Sequence, residues 1–149
     1  MPRYTVTVRC PLSPADAFAY MADLTNIEQW DPGVAQALQV TGNGPGLGAE
    51  YDVDVRRPVG VLTLRYCVMS FDAPRCVVAH ARSRAFTSVD TMTVDADENG
   101  STVTYEAVLT LNGLLGLANP FLGIAFRVIG DRAAAGLVDA LDGQKILQK

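Results

Sequence analysis

Between Val34 and Leu111 the chain is a succession of runs in which apolar and polar residues alternate, cut by short turn sequences, and one long apolar-striped run comes after them. Alternation with a period of two is the pattern of a strand that buries one face. It predicts strands near 34–41, 47–56, 59–71, 75–82, 85–95 and 100–112. The interruptions are Gly42-Asn43-Gly44-Pro45-Gly46, Arg57-Pro58, Asp72-Ala73-Pro74, Ser83 and Asp97-Glu98-Asn99-Gly100. Each is short enough to join antiparallel neighbours, so the middle of the chain is a meander.

A further strand precedes it, because Arg3 to Cys10 places Tyr4, Val6 and Val8 on one side and Thr5, Thr7 and Arg9 on the other. Ser13 then offers a hydroxyl cap, Pro14 suits the first helical position, and Asp16 completes a capping box. The short helix that follows buries Ala17, Phe18 and Met21. Leu24 to Trp30 has few strand formers and ends at the turn Asp31-Pro32-Gly33, which predicts a second short helix. At the other end, Asn119 and Pro120 cap a helix over 121–141 with Leu122, Phe126, Ile129, Ala133, Leu137 and Leu141 on one stripe, and Gly143 stops it. The fold expected is α+β: a seven-stranded curved antiparallel sheet wrapped around a long C-terminal helix, with two short helices between strands 1 and 2. A sheet that curls around one helix leaves space wherever the helix does not fill the concavity, so a pocket is expected.

At 149 residues, residues 1–149 are expected to form a single domain. With 49% hydrophobic and 19% charged residues the chain can bury enough apolar surface to fold. Twelve Lys and Arg against 16 Asp and Glu leave a net charge of −4, which argues against nucleic acid as a partner. Cys10, Cys67 and Cys76 show no C-x-x-C spacing; they suggest buried thiols in a reducing cytoplasm, with no metal and no cofactor expected. Met1-Pro2-Arg3-Tyr4 runs straight into the first strand without signal-peptide features, so a cytoplasmic location is expected. The uncharged run from Leu109 to Phe126 is broken by Asn112, Gly113, Gly116, Asn119, Pro120 and Gly123, which argues against an integral membrane segment. Within it Leu114 to Ala118 reads equally as a lid, a membrane-touching lip, a subunit contact or a last strand descending into the core, leaving monomer and homodimer both open.

Ser13-Pro14-Ala15-Asp16-Ala17-Phe18, the stretch from Leu24 to Gly33, the strands at Tyr66 to Pro74 and Ser88 to Val94, and Val103-Thr104-Tyr105-Glu106-Ala107 before a terminal helix together carry a resemblance. The chain resembles the START and birch-pollen-allergen (SRPBCC, helix-grip) superfamily, and within it the polyketide cyclase/dehydrase-like branch. The resemblance covers nearly the whole chain. It implies a hydrophobic cavity between sheet and helix for a lipid, polyketide or other apolar metabolite, and in a minority of members an enzyme. It brings no shared catalytic motif with it.

Period-two alternation assigns the inward faces: Tyr51, Val53 and Val55; Leu62, Leu64, Tyr66 and Val68; Phe86, Ser88, Asp90, Met92 and Val94; Val103, Tyr105, Ala107, Leu109 and Leu111. The ligand-binding candidates are Tyr51, Leu64, Tyr66, Ser88, Asp90, Met92 and Tyr105, with Phe121 and Ala125 from the terminal helix and Trp30 at the mouth. Apolar area gives affinity and sparse polar groups give orientation. The plain alternative is an ordinary core whose tyrosine hydroxyls bond to the backbone, with Trp30 only stapling a helix to the sheet. An inward Asp90 has its pKa raised by desolvation and is the sharpest acid/base candidate, against the alternative of a carboxylate bonded to Ser88 or an arginine. His80 is the one histidine, and the side it faces is open. Ser88, Asp90 and His80 make no hydrolase triad, since no G-x-S-x-G elbow is present.

Asp95 to Gly100 followed by Glu106 matches a calcium-loop pattern, but its strand context reads as a hairpin turn. The glycines at 42–48 read as a loop beside the cavity mouth. The leading expectation is a binding or carrier protein for a small hydrophobic ligand. Its rivals are a polyketide cyclase/dehydratase using Asp90 or His80, and a protein-interaction or regulatory module.

Overall fold

The turn sequences close hairpins and the alternating runs pair as strands. The computed structural model describes residues 3–83, 86–111 and 121–146, with the side chains of residues 121–126 and 145 outside the description. Among the described residues the strands are β1 Arg3–Cys10, β2 Val34–Thr41, β3 Glu50–Arg56, β4 Val61–Asp72, β5 Cys76–Arg82, β6 Phe86–Asp97, β7 Gly100–Leu111 and β8 Gln144–Ile146. They form one antiparallel sheet in the order β2-β3-β4-β5-β6-β7-β1-β8. Strands β2 to β7 are the expected meander, and β1 closes against β7 with Val6 opposite Tyr105 and Val8 opposite Val103.

The expected seven-stranded curved sheet, terminal helix and short helices are present. The eighth strand is an addition: β8 pairs with Thr7 to Arg9 of β1. Three residues are too few to show a period, and the chain reverses into β8 through Asp142 in the left-handed region (φ 51°) and Gly143. A Cβ on Gly143 would meet Val8 at 2.7 Å, so glycine permits this close approach. A second difference lies at 47–49, expected in strand. Ala49 N–H there donates to Gly46 O to close a turn before β3 begins at Glu50.

Helix α1, Pro14–Ala22, starts where Ser13 Oγ accepts from the Asp16 N–H at 3.2 Å. The expected single helix at 24–30 divides into a 3-10 turn, Leu24–Asn26, and one turn of α-helix, α2, Ile27–Trp30. These pieces cover part of the sheet's concave face. Phe18 meets Phe71 edge to face at 5.4 Å, and Met21, Leu24 and Trp30 are buried with Tyr51, Val53, Val68, Met92 and Val103. Helix α3, Phe121–Leu141, buries Ala133, Ala134, Leu137 and Leu141. It lies so close to its supports that a Cβ on Gly130 would collide with the Tyr4 ring and one on Gly136 with the Trp30 carbonyl. Tyr4 O–H also donates to Asp131 Oδ1 at 2.8 Å, tying β1 to α3. The Leu114 to Ala118 segment and the Asn119-Pro120 cap lie outside the described residues.

A candidate ligand cavity on the concave face

Close packing does not extend along the whole concave face. At the end defined by the start of β2, the end of β3 and the end of β7, a cavity of about 310 Å³ remains. The register explains why its walls come together. Phe86, Ser88 and Asp90 of β6 stand opposite Leu111, Leu109 and Ala107 of β7, and Val55 of β3 stands opposite Leu62 of β4. All eight line the cavity, with Leu64, Tyr66, Tyr105 and Val34. Tyr66 pairs with Ala81 and Ala81 with Ser88. The small Ala81 side chain between them leaves the Tyr66 hydroxyl room to reach Ser88 and Asp90 two strands away.

One buried polar cluster interrupts the apolar wall. Ser88 Oγ–H donates to Asp90 Oδ1 at 2.8 Å and Tyr105 O–H donates to Asp90 Oδ2 at 2.7 Å. The Tyr66 hydroxyl adjoins the same carboxyl. Burial pushes the Asp90 pKa up; the three hydroxyls oppose that by stabilising the carboxylate, and nearby Asp31 adds to the rise. Burial and the Asp90 charge together hold both tyrosines well above their usual range. Behind the wall, Trp30 meets Tyr105 edge to face at 5.3 Å and fixes its ring.

Sequence reasoning does not find Asp31, Gly33, Val34 or Ile129 as lining residues, and Asp31, read only as part of the turn Asp31-Pro32-Gly33, is the charged one among them. Its Oδ1 does serve that turn, accepting the Gly33 N–H at 2.8 Å, yet the side chain also lines the cavity. Burial raises its pKa, partly offset by the Gly33 bond. The signal was present in retrospect: an acidic residue directly after a buried Trp at the end of a covering helix is carried inward with it.

The sequence candidates divide by depth. Leu64, Tyr66, Ser88, Asp90 and Tyr105 line the cavity. Tyr51, Met92 and Trp30 do not; at most 2% exposed, they belong to the packed part of the same face, where α1, the 3-10 turn and α2 cover the sheet. Trp30 is therefore packed behind the wall and does not gate the mouth. The Tyr51 hydroxyl has no hydrogen-bond partner among the described residues. The side chains of Phe121 and Ala125 lie outside the description.

His80 is opposite Val89 and Cys67 in register, while its neighbour Ala79 is opposite Asp90. It thus projects from the other face of the sheet, beside Glu50, Arg65, Cys67, Met69 and Arg82, and shares no site with Asp90. The glycine loop at 42–48 is likewise displaced from its expected place: it leads into Glu50, whereas the cavity touches β3 at Val55, the opposite end of that strand. In the β6–β7 hairpin, Asp97 binds Arg9 at 2.7 Å and accepts from the Glu98 N–H and Thr102 hydroxyl. Among the described residues no three His, Cys, Asp or Glu side chains gather as a metal ion requires. No described helix is long and apolar enough to cross a membrane.

The architecture has solved relatives. A START superfamily protein from Mycobacterium smegmatis superposes with a TM-score of 0.75 at 10% identity, covering 94% of this chain and 97% of that one. The di-domain ARO/CYC StfQ from the steffimycin biosynthetic pathway gives 0.71 at 15% identity, covering 94% of this chain and 49% of StfQ, so this chain matches about half of it. Major latex-like protein 151 from Panax ginseng gives 0.60 at 12% identity, covering 89% and 95%. At these identities the likeness establishes the fold. A search by sequence among curated proteins finds no match. The family model described as polyketide cyclase / dehydrase and lipid transport matches residues 1–142, nearly the whole length. The chain therefore belongs to the polyketide cyclase/dehydrase and lipid transport family.

Proposed function

We propose that this protein binds a small apolar molecule in the cavity and carries or stores it in the cytoplasm. The observation that carries this reading is the cavity itself: about 310 Å³ lined by aliphatic and aromatic side chains around one polar cluster. That is the construction of small-molecule pockets generally, where apolar burial supplies affinity and a few polar atoms fix orientation. The family supports the same reading through its description, which includes lipid transport. Three free cysteines are consistent with a reducing compartment. Native mass spectrometry of protein purified from its own cells, followed by organic extraction, is expected to release a stoichiometric apolar passenger, and Ala107→Leu to reduce its occupancy. Protein that is always empty, with no apolar probe binding in titration, overturns the proposal.

A second reading, cyclase-type chemistry, is favoured by one observation: the buried Asp90 carboxyl, its pKa raised, meets tyrosine hydroxyls, and the half-buried Asp31 lines the same cavity. A carboxyl with a raised pKa keeps its proton to higher pH than a free one, which suits it to give a proton to a substrate. The engagement of both Asp90 oxygens weighs against it as a base, and His80 is on the far face. Turnover of a polyketide-like substrate that Asp90→Asn abolishes would favour this reading over simple binding; unchanged turnover in Asp90→Asn and His80→Ala removes both residues from it.

A further inference from the structure

We propose that the guest of this cavity is an apolar molecule bearing a protonated amine, anchored through Asp31 Oδ2. The inference rests on the cavity reading above and names the chemical class it selects.

The donor and acceptor inventory of the wall is one-sided. Among the described residues the cavity is lined by two carboxyls, Asp31 and Asp90, and by no Lys, Arg or His. The hydroxyl protons of Ser88 and Tyr105 are committed to the Asp90 oxygens, and the Tyr66 hydroxyl is turned to the same carboxyl. A hydroxyl has one proton to give, so these three have none left for a guest. With Asp31 and Asp90 ionised, a carbonyl, carboxylate or phosphate entering here finds acceptors facing acceptors. An N–H donor meets the reverse situation. Asp31 Oδ1 takes the Gly33 N–H, and among the described residues Oδ2 accepts no hydrogen bond.

Charge points the same way. Two carboxyls in a low-dielectric hollow without a cation are costly to ionise, and burial raises the pKa of each. An ammonium placed between Asp31 and the rings of Phe86, Tyr66 and Tyr105 would relieve that cost by a charge-assisted hydrogen bond and by the negative ring faces. The aliphatic residues Val34, Val55, Leu62, Leu64 and Leu109 would then hold the carbon skeleton.

Isothermal titration with three isosteric probes tests this at neutral pH: 2-naphthalenemethylamine, 2-naphthalenemethanol and 2-naphthoate. The amine is expected to bind about tenfold more tightly than the alcohol, one step of about 1.4 kcal/mol, with naphthoate weakest. Asp31→Asn is expected to bring the amine-to-alcohol ratio close to one, with a thermal melt establishing that the variant is folded. If that variant does not fold, the wild-type ratio decides alone. An alcohol that binds as tightly as the amine, or a naphthoate that binds best, overturns the inference while leaving the apolar-guest reading standing. Failure of all three probes to bind overturns both.

Discussion

Strand β6 passes through two different environments on one face. Met92 and Val94 are at most 2% exposed, packed with α1, β5 and β7, whereas Phe86, Ser88 and Asp90 earlier on the same strand border an open cavity. The alternation is the same throughout. What changes is the cover: α1 packs on β6 and β7, α2 packs on β2, and α3 sits tightly on Tyr4 and Trp30, while the cavity remains beside them. Periodicity therefore selects the face of a strand, and the helices decide whether that face becomes core or cavity wall. The polar residues follow this division, since Ser88 and Asp90 fall at the hollow end where a guest can repay their burial.

Truncation should expose the difference most strongly. Met92→Ala, in the packed end, is expected to cost about 3 kcal/mol because it leaves a void that neighbours cannot fill. Leu109→Ala, which only enlarges an existing hollow, should cost about 1 kcal/mol. Chemical denaturation of the two variants checks the contrast, and equal losses would mean that the two ends are equally packed. Enlargement sharpens the same contrast in reverse. Ala79→Leu, at 1% exposure, is expected to destabilise by about 2 kcal/mol through overpacking. Ala107→Leu has the cavity to grow into and should cost less than about 1 kcal/mol while displacing 2-naphthalenemethanol in a binding titration.

A smaller effect is expected from titration. The Asp90 pKa is raised in the folded protein, so the neutral carboxyl is the form folding prefers. Its contribution is fully present below the unfolded value, about 3.9, and is lost as pH rises through the folded value. Asp90→Asn removes this dependence. The melting temperature of the variant minus that of the wild type should therefore become more positive between pH 4 and pH 7, whatever constant offset the lost hydrogen bonds impose. Asp52 and Asp97 are lowered by Arg65 and by the Glu98 N–H respectively, and their opposite slope cancels in the difference. A difference that stays flat or falls would show that the hydroxyls around Asp90 outweigh its burial.

Much of this molecule was legible before any coordinates. The strand runs, the helix capped by Ser13 and the inward sets on β3, β4, β6 and β7 follow from period, Pro and Gly placement and side-chain capping, all local properties. Local rules also account for the failures. Three residues of β8 carry no periodicity, and their pairing with Thr7 to Arg9 joins chain segments more than a hundred residues apart. His80 has apolar neighbours on both sides, so alternation was silent, and only its pairing opposite Val89 assigns it to the outer face. Tyr51 and Met92 share their alternation with the cavity residues because a face has no depth in one dimension, and for Trp30, on a helix, the packed alternative to a gate is the one the structure shows.

Local pattern settles the order of β1 to β7 and the helices, the antiparallel meander and the inward side of each long strand, because each depends on contacts within a few residues or on a repeating period. Long-range packing sets where the inward surface stays open, which hydroxyls converge on Asp90 and that a turn aspartate, Asp31, borders the same hollow. Those outcomes depend on contacts between distant segments, among them Tyr66 across Ala81 from Ser88 and α3 seated on Tyr4 and Trp30, which no local pattern encodes.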